Sequence, residues 1–171
     1  MVQIIIVAGP NGAGKTSFAK QYLPSTELVY LNADEIAREP IVLASAPNNA
    51  AFAAGRLMLK RLDELTQAGA GVMFETTLAT RHYVRRIELW QQDGYTVSLI
   101  YLRLPDVETS LARVAKRVAA GGHDIPEGSV RKRFVLSSQY LETLYKPIVD
   151  AWYVWDSLEG RFDPIEAWDD Q

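Results

Sequence analysis

The chain has 171 residues, 48% hydrophobic and 23% charged, with 18 Lys and Arg against 21 Asp and Glu and no cysteine. At about 100–200 residues per domain, this is one domain with a core of its own and not a largely disordered chain. The composition excludes disulfide frameworks and thiolate chemistry, the net charge of −3 argues against a dedicated nucleic-acid binder, and no apolar run approaches the ~18 residues of a membrane span.

Residues 2–8 (VQIIIVA) are apolar and β-branched on consecutive positions, the pattern of a strand buried on both faces of a parallel sheet. No basic segment precedes them, so no secretory signal is read and the cytoplasm is the expected compartment. The run enters Gly9-Pro10-Asn11-Gly12-Ala13-Gly14-Lys15-Thr16 and then a helix predicted to stop near Tyr22-Leu23-Pro24. A second strand, Leu28–Leu31, leads to Asn32-Ala33-Asp34-Glu35. A long helix is predicted from about Ala46 to Ala68, its apolar stripe formed by Phe52, Gly55, Met58, Leu62 and Leu65.

Strand three is Gly71–Phe74, ending in Glu75-Thr76-Thr77, and a helix over about Tyr83–Gln92 follows. Strand four spans Tyr95–Leu104, a helix runs to about Ala120, and Gly121-Gly122 ends it. The next helix, started by an Asp124 N-cap with Pro126 and Glu127, runs to about Tyr145. A last strand falls near Ala151–Trp155, and the acidic tail, about 158–171, is expected to be loosely held. Alternating strands and helices with no repeat or composition break predict a single α/β domain over 1–171 with a mainly parallel sheet.

Residues 9–16 match G-x-x-x-x-G-K-[ST] between a strand and a helix, the context that gives this motif its meaning. Its glycines turn the backbone so that successive N–H groups face one concavity, and the following helix adds the positive end of its dipole. Gly9, Asn11, Gly12, Ala13, Gly14, Lys15, Thr16 and Ser17 are therefore the nucleotide cradle. Lys15 is a mobile charge for the β- and γ-phosphates and Thr16 a Mg²⁺ ligand, so ATP and Mg²⁺ are the expected cofactors. GTPase switch and guanine-reading strings are missing, as is the transporter-ATPase signature, which leaves a small phosphoryl-transfer enzyme ahead of an ATP-gated switch.

Ligands of open parallel sheets sit beyond the carboxyl ends of the strands. Past strand two, Asp34 is the choice for orienting an acceptor hydroxyl and taking its proton, with helix N-capping as the competing role; Asn32 lies beside it. Past strand three, Glu75 is suited to bind substrate hydroxyls or hold a metal-bound water, against a plain loop charge. Thr77 offers a short polar contact to the acceptor, and Arg81 either reaches a substrate phosphate or lies on the surface. Residues 81–133 hold ten Lys and Arg against six Asp and Glu, concentrated at Arg113, Lys116, Arg117 and at Arg131, Lys132, Arg133. Helix, glycine hinge and helix over about 113–135 read as a closing lid, with Arg117 and Arg131 weighted as the cations that neutralise the transferring phosphoryl group.

Together, Gly9–Thr16, Asn32-Ala33-Asp34-Glu35-Ile36-Ala37, Phe74-Glu75-Thr76-Thr77-Leu78 and Arg117 with Gly121-Gly122-His123-Asp124-Ile125-Pro126 resemble the zeta-toxin family of P-loop kinases over about residues 2–157. The resemblance implies a P-loop kinase-type three-layer α/β sandwich with a five-stranded parallel sheet and a short helical lid. It implies ATP/Mg²⁺-dependent phosphorylation of a small hydroxyl acceptor, a UDP-N-acetylamino sugar in the best-known members, and an antitoxin protein as partner. It places the catalytic aspartate on Asp34, the strand-three glutamate on Glu75, the substrate threonine on Thr77, the phosphate-loop pair on Lys15 and Thr16, and the lid arginines on Arg117 and Arg131. The chain departs from the family's toxins in stopping soon after strand five. A nucleotide-gated binding module and a polynucleotide 5′-kinase are the competing functions, with membranes and nucleic acid outside the expected partners.

Overall fold

The computed structural model describes residues 2–22, 26–158 and 160–169. Six strands form one mixed sheet in the order β2-β3-β1-β4-β5-β6, with β1 Gln3–Ala8, β2 Val29–Leu31, β3 Val72–Thr76, β4 Thr96–Arg103, β5 Ala151–Leu158 and β6 Arg161–Asp169. The first five are parallel and β6 is antiparallel to β5. The consecutive apolar residues of β1 are buried because both faces are covered. Ile4, Ile6 and Ala8 face a core built with Met58 and Leu62, whereas Ile5 and Val7 face Phe18 and Ala19.

The helices are α1 Lys15–Tyr22, α2 Ala33–Ile36, α3 Pro40–Ser45, α4 Ala50–Gln67, α5 Val84–Gln92, α6 Val107–Ala119 and α7 Glu127–Tyr140, the last continuing into a π-turn at Leu141–Tyr145. This is the α/β P-loop kinase fold, with helices on both faces of the sheet. The expected stop of α1 at Leu23-Pro24 lies outside the described residues.

Four expectations need correction. The sheet has a sixth strand: the acidic tail forms β6, because Phe162 is an apolar anchor that packs on the core while Asp163, Glu166 and Asp169 stay at the surface. The long helix begins at Ala50, after a separate α3 started by Pro40. Its buried stripe is Ala54, Met58 and Leu62, spaced by four, which leaves Phe52 62% exposed. Finally, α7 starts at Glu127 behind Pro126, and no Asp124 side chain caps it.

Candidate functional site

The loop after β1 is held open by glycines at Gly12 (φ +79°) and Gly14 (φ +84°), left-handed conformations that strain any residue with a Cβ. Ala13 N–H bonds back to Pro10 O at 3.2 Å, and the first helical bond runs from Phe18 N–H to Gly14 O at 2.9 Å. The N–H groups of Lys15, Thr16 and Ser17, in the first turn of α1, thus have no intrahelical partner and form the positive end of its dipole. Lys15 Nζ donates to Gly9 O (2.9 Å) and Pro10 O (3.0 Å). Burial lowers its pKa to about 8, opposed by Glu75 and Asp34 and assisted by Arg117 and Arg133. Asn11 Oδ1 is buried with no hydrogen-bond partner among the described residues.

A closed polar ring stands on the side of the loop that faces β2 and β3. Thr16 Oγ1 donates to Glu75 Oε2 (3.0 Å) and accepts from Asn32 Nδ2 (3.2 Å). The same Asn32 amide reaches Tyr30 OH (3.0 Å), and Tyr30 OH donates to Glu75 Oε1. Burial pushes the Glu75 carboxyl above its ordinary range, with the hydrogen bond from Tyr30 as the main opposing effect; burial also raises Tyr30. Tyr30 has no role in the sequence reading. Its signal was strand alternation, since positions 30 and 32 lie on one face of the β2 edge and bring an aromatic hydroxyl and an amide to the same spot.

Asn32 also settles the capping question beside Asp34. Its Oδ1 accepts from Asp34 N–H (2.8 Å) as the N-cap of α2, so the Asp34 side chain is free of that duty and 63% exposed. Arg117 Nη1 lies 3.8 Å from Asp34 Oδ2, Arg117 Nη2 donates to His123 O (3.4 Å), and Arg117 Nε is buried without a partner among the described residues. The structure thus brings Lys15, Thr16, Asn32, Asp34, Glu75 and Arg117 together at one edge of the sheet.

Three candidates stand elsewhere. Arg131 Nε donates to Glu127 Oε1 and Arg131 Nη1 to Glu108 Oε1, both at 2.8 Å on the outer surface. Two residues on and about 200° around the helix, Arg133 is the α7 cation felt at Lys15. Arg81 is exposed and sits over the Tyr140 ring, 5.5 Å from its centroid. Thr77 is half-buried in the turn after β3, just before Leu78, a fully buried residue at φ +60°.

Outside the motif, the loop is braced from α6 by Ser110, which has no role in the sequence reading, and by Arg113, counted there only among the clustered cations. Ser110 Oγ donates to Asn11 O at 2.5 Å. Arg113 donates from Nη1 to Gly12 O (3.3 Å) and Ser157 Oγ (3.1 Å) and from Nη2 to Ser157 O (2.9 Å). A Cβ on Gly14 would meet the Phe162 ring at 3.3 Å, and that ring packs edge-on against Phe18 with centroids 5.2 Å apart.

Residues 4–133 match the AAA_33 family model, described as an AAA domain. The chain belongs to this family. The match takes in the phosphate loop, Asp34, Glu75 and Arg117, while β5 and β6 of this AAA_33 chain follow it in sequence. An uncharacterized protein of Haemophilus influenzae is 29% identical over 130 residues, 76% of this chain and 91% of that protein.

Among solved structures, the PezAT chromosomal toxin–antitoxin system of Streptococcus pneumoniae is similar with a TM-score of 0.68 and 18% identity, over 98% of this chain and 72% of that one. Deoxyadenosine kinase of M. mycoides with bound dATP gives a TM-score of 0.55 and 17% identity over 91% of both chains. The Pnkp1/Rnl/Hen1 RNA repair complex gives 0.63 and 17% over 96% of this chain, which spans 48% of that one. At these identities the likeness shows the fold. No helix among the described residues is long and apolar enough to cross a membrane.

Proposed function

We propose that this AAA_33 chain is one ATP-dependent kinase domain that transfers the γ-phosphoryl group to a hydroxyl of a small molecule. The observation that carries this reading is the meeting of the exposed Asp34 carboxylate with Arg117 at 3.8 Å, both within electrostatic range of the phosphate-loop Lys15. An acceptor-only group beside cations that face a phosphate cradle is what transfer to an alcohol requires.

The residues fit ATP and Mg²⁺. The first-turn amides of α1 and the Lys15 ammonium are donors for phosphate oxygens, and the Thr16 hydroxyl, next to the Glu75 carboxylate, is a hard oxygen ligand set for Mg²⁺. Among the described residues no group of three His, Cys, Asp or Glu side chains gathers; Thr16 and Glu75 are the residues that would hold such an ion, together with phosphate and water oxygens. When bound, Mg²⁺ neutralises charge on the phosphate oxygens.

Lys15 leaves the carbonyls of Gly9 and Pro10 for the phosphates. Thr16 is held in register by Glu75 and Asn32, and the Glu75 carboxylate would help hold the ion through the water around it. Asp34 orients the acceptor hydroxyl and receives its proton. Arg117 stabilises the charge on the transferring group, and the placement of the α7 side chains favours Arg133 over Arg131 as its companion. The roles of Thr77 and Arg81 in binding the acceptor rest on the sequence reading alone, since both stand apart from this cluster.

The zeta-toxin resemblance, with the PezAT similarity, supports including UDP-N-acetylamino sugars among the acceptors and an antitoxin protein among the partners. The test is ADP release with ATP, Mg²⁺ and a panel of nucleotide sugars, sugars and nucleosides. Acceptor-dependent release that falls at least 100-fold in Asp34→Asn supports the kinase. ADP release that no acceptor stimulates, or an Asp34→Asn chain of full activity, refutes it.

A further inference from the structure

We propose that Ser110 and Arg113 on α6 are positioning residues that fix the direction of the phosphate-loop amides and tie the loop to Arg117. The inference rests on the nucleotide-binding reading above and concerns how that site is held.

A peptide unit is planar and trans, so its C=O and the following N–H point in opposite directions. Fixing one therefore aims the other. Ser110, fully buried, holds Asn11 O at 2.5 Å on the α6 side, and the Gly12 N–H is thereby turned away from α6. Arg113 holds Gly12 O at 3.3 Å, which aims the Ala13 N–H the same way. That second orientation is visible directly, since Ala13 N–H bonds to Pro10 O across the inside of the loop. Gly12 makes the approach feasible: a Cβ there would lie 2.9 Å from Arg113 Cβ and 3.1 Å from Ser110 O.

The same helix face continues to the lid arginine. Positions 110, 113 and 117 fall within about 60° of one another at 100° per residue. The first two grip the loop carbonyls and the third meets Asp34. Arg113 further joins the loop to the end of β5 through Ser157. A displacement of α6 therefore turns loop amides and moves Arg117 in one motion, so the loop and the lid are set by a single rigid element.

The test uses the full chain with Ser110→Ala and, because a buried change risks the fold, Arg113→Gln at a partly exposed position. Three quantities are read: the Kd for ADP by titration calorimetry, KM and kcat for ATP with an active acceptor, and amide hydrogen exchange. Each variant is expected to bind ADP 5- to 30-fold more weakly and to raise KM for ATP by a similar factor. Exchange should become at least tenfold faster within residues 11–15 and stay unchanged in β1, β3 and β4. Wild-type ADP affinity in both variants overturns the inference, as does weaker binding accompanied by faster exchange throughout the sheet, which marks a merely structural role. If the wild-type chain itself binds no ADP, the nucleotide-binding reading falls and this inference falls with it.

Discussion

Gly121 and Gly122 are adjacent in sequence but are glycines for different reasons, and substituting them separately tests how Arg117 is placed. They close α6 in a Schellman motif, with Gly122 N–H on Arg117 O and Gly121 N–H on Val118 O, both at 2.9 Å. Gly121 sits at φ +88° with nothing within 4 Å of an added Cβ, so its requirement is purely conformational. A left-handed residue with a Cβ costs about 1–2 kcal/mol, and asparagine tolerates the conformation best. For Gly122, by contrast, an added Cβ would lie 2.7 Å from Arg117 Cγ and 2.8 Å from Arg117 O. Relief there means opening the end of α6 and shifting the base of the Arg117 side chain, an overpacking cost of about 1–3 kcal/mol. Gly121→Asn should therefore lie within about 0.5 kcal/mol of wild type in urea unfolding, and Gly121→Ala should lose about 1 kcal/mol, both with near-normal turnover. Gly122→Ala should lose about 1–3 kcal/mol and at least tenfold in acceptor-dependent ADP release. A Gly122→Ala chain with wild-type stability and rate, or asparagine equally costly at both positions, would refute the reasoning.

Tyr30→Phe removes the donor to the buried Glu75 and should cost about 1–3 kcal/mol of unfolding free energy, read from urea midpoints at unchanged slope; no loss would mean the ring around Thr16 carries no stability. Lys15 titrates near pH 8 in the fold against 10.5 ordinarily, so between those values the unfolded chain holds the extra proton and stability rises with pH, the penalty being complete below about pH 8. At about 1.4 kcal/mol per unit the gain has a ceiling of about 3 kcal/mol, trimmed because the ammonium is partly open to water; Lys15→Met should lack this gain between pH 7.5 and 10, and equal slopes in the two proteins would contradict it. Phe162→Ala strips the ring from Gly14 and Phe18 and should cost about 1–3 kcal/mol together with a weaker affinity for ADP, whereas stability lost at unchanged affinity would confine the ring to packing.

What could be read before any coordinates were those features in which local pattern and global fold agree. The unbroken apolar run of β1 is intelligible only as a central parallel strand, and the loop that follows it has a stereochemistry few other functions need. Asp34 and Glu75 are legible as candidates because ligands of open parallel sheets sit beyond the carboxyl ends of the strands. The surroundings of Arg131 and Arg133 were not legible, since α7 has no strong amphipathic pattern to fix which side faces inward, and the pairing of Arg131 with Glu108 and Glu127 is seen only in the fold. Ser110, and the hold of Arg113 on the loop, were opaque because their partners are backbone carbonyls about 100 residues away, which leave no mark on composition or spacing. The β6 strand was hidden by its acidity: an edge strand presents most of its side chains to water, so its sequence reads as a tail.

The hairpin of β5 and β6 also bears on the order in which the molecule is made. Synthesis runs from the N-terminus, so the phosphate loop precedes Ser157 and Phe162, the residues that wall it in. A growing chain that already contains every residue of the motif, Asp34, Glu75 and Arg117 still lacks the outer support of its own loop. Contacts between such distant parts of the chain form late, because a long loop must close first. The outer wall of the phosphate loop is therefore among the late-closing parts of the fold, and the loop reaches its full support only when the β5–β6 hairpin has docked on it.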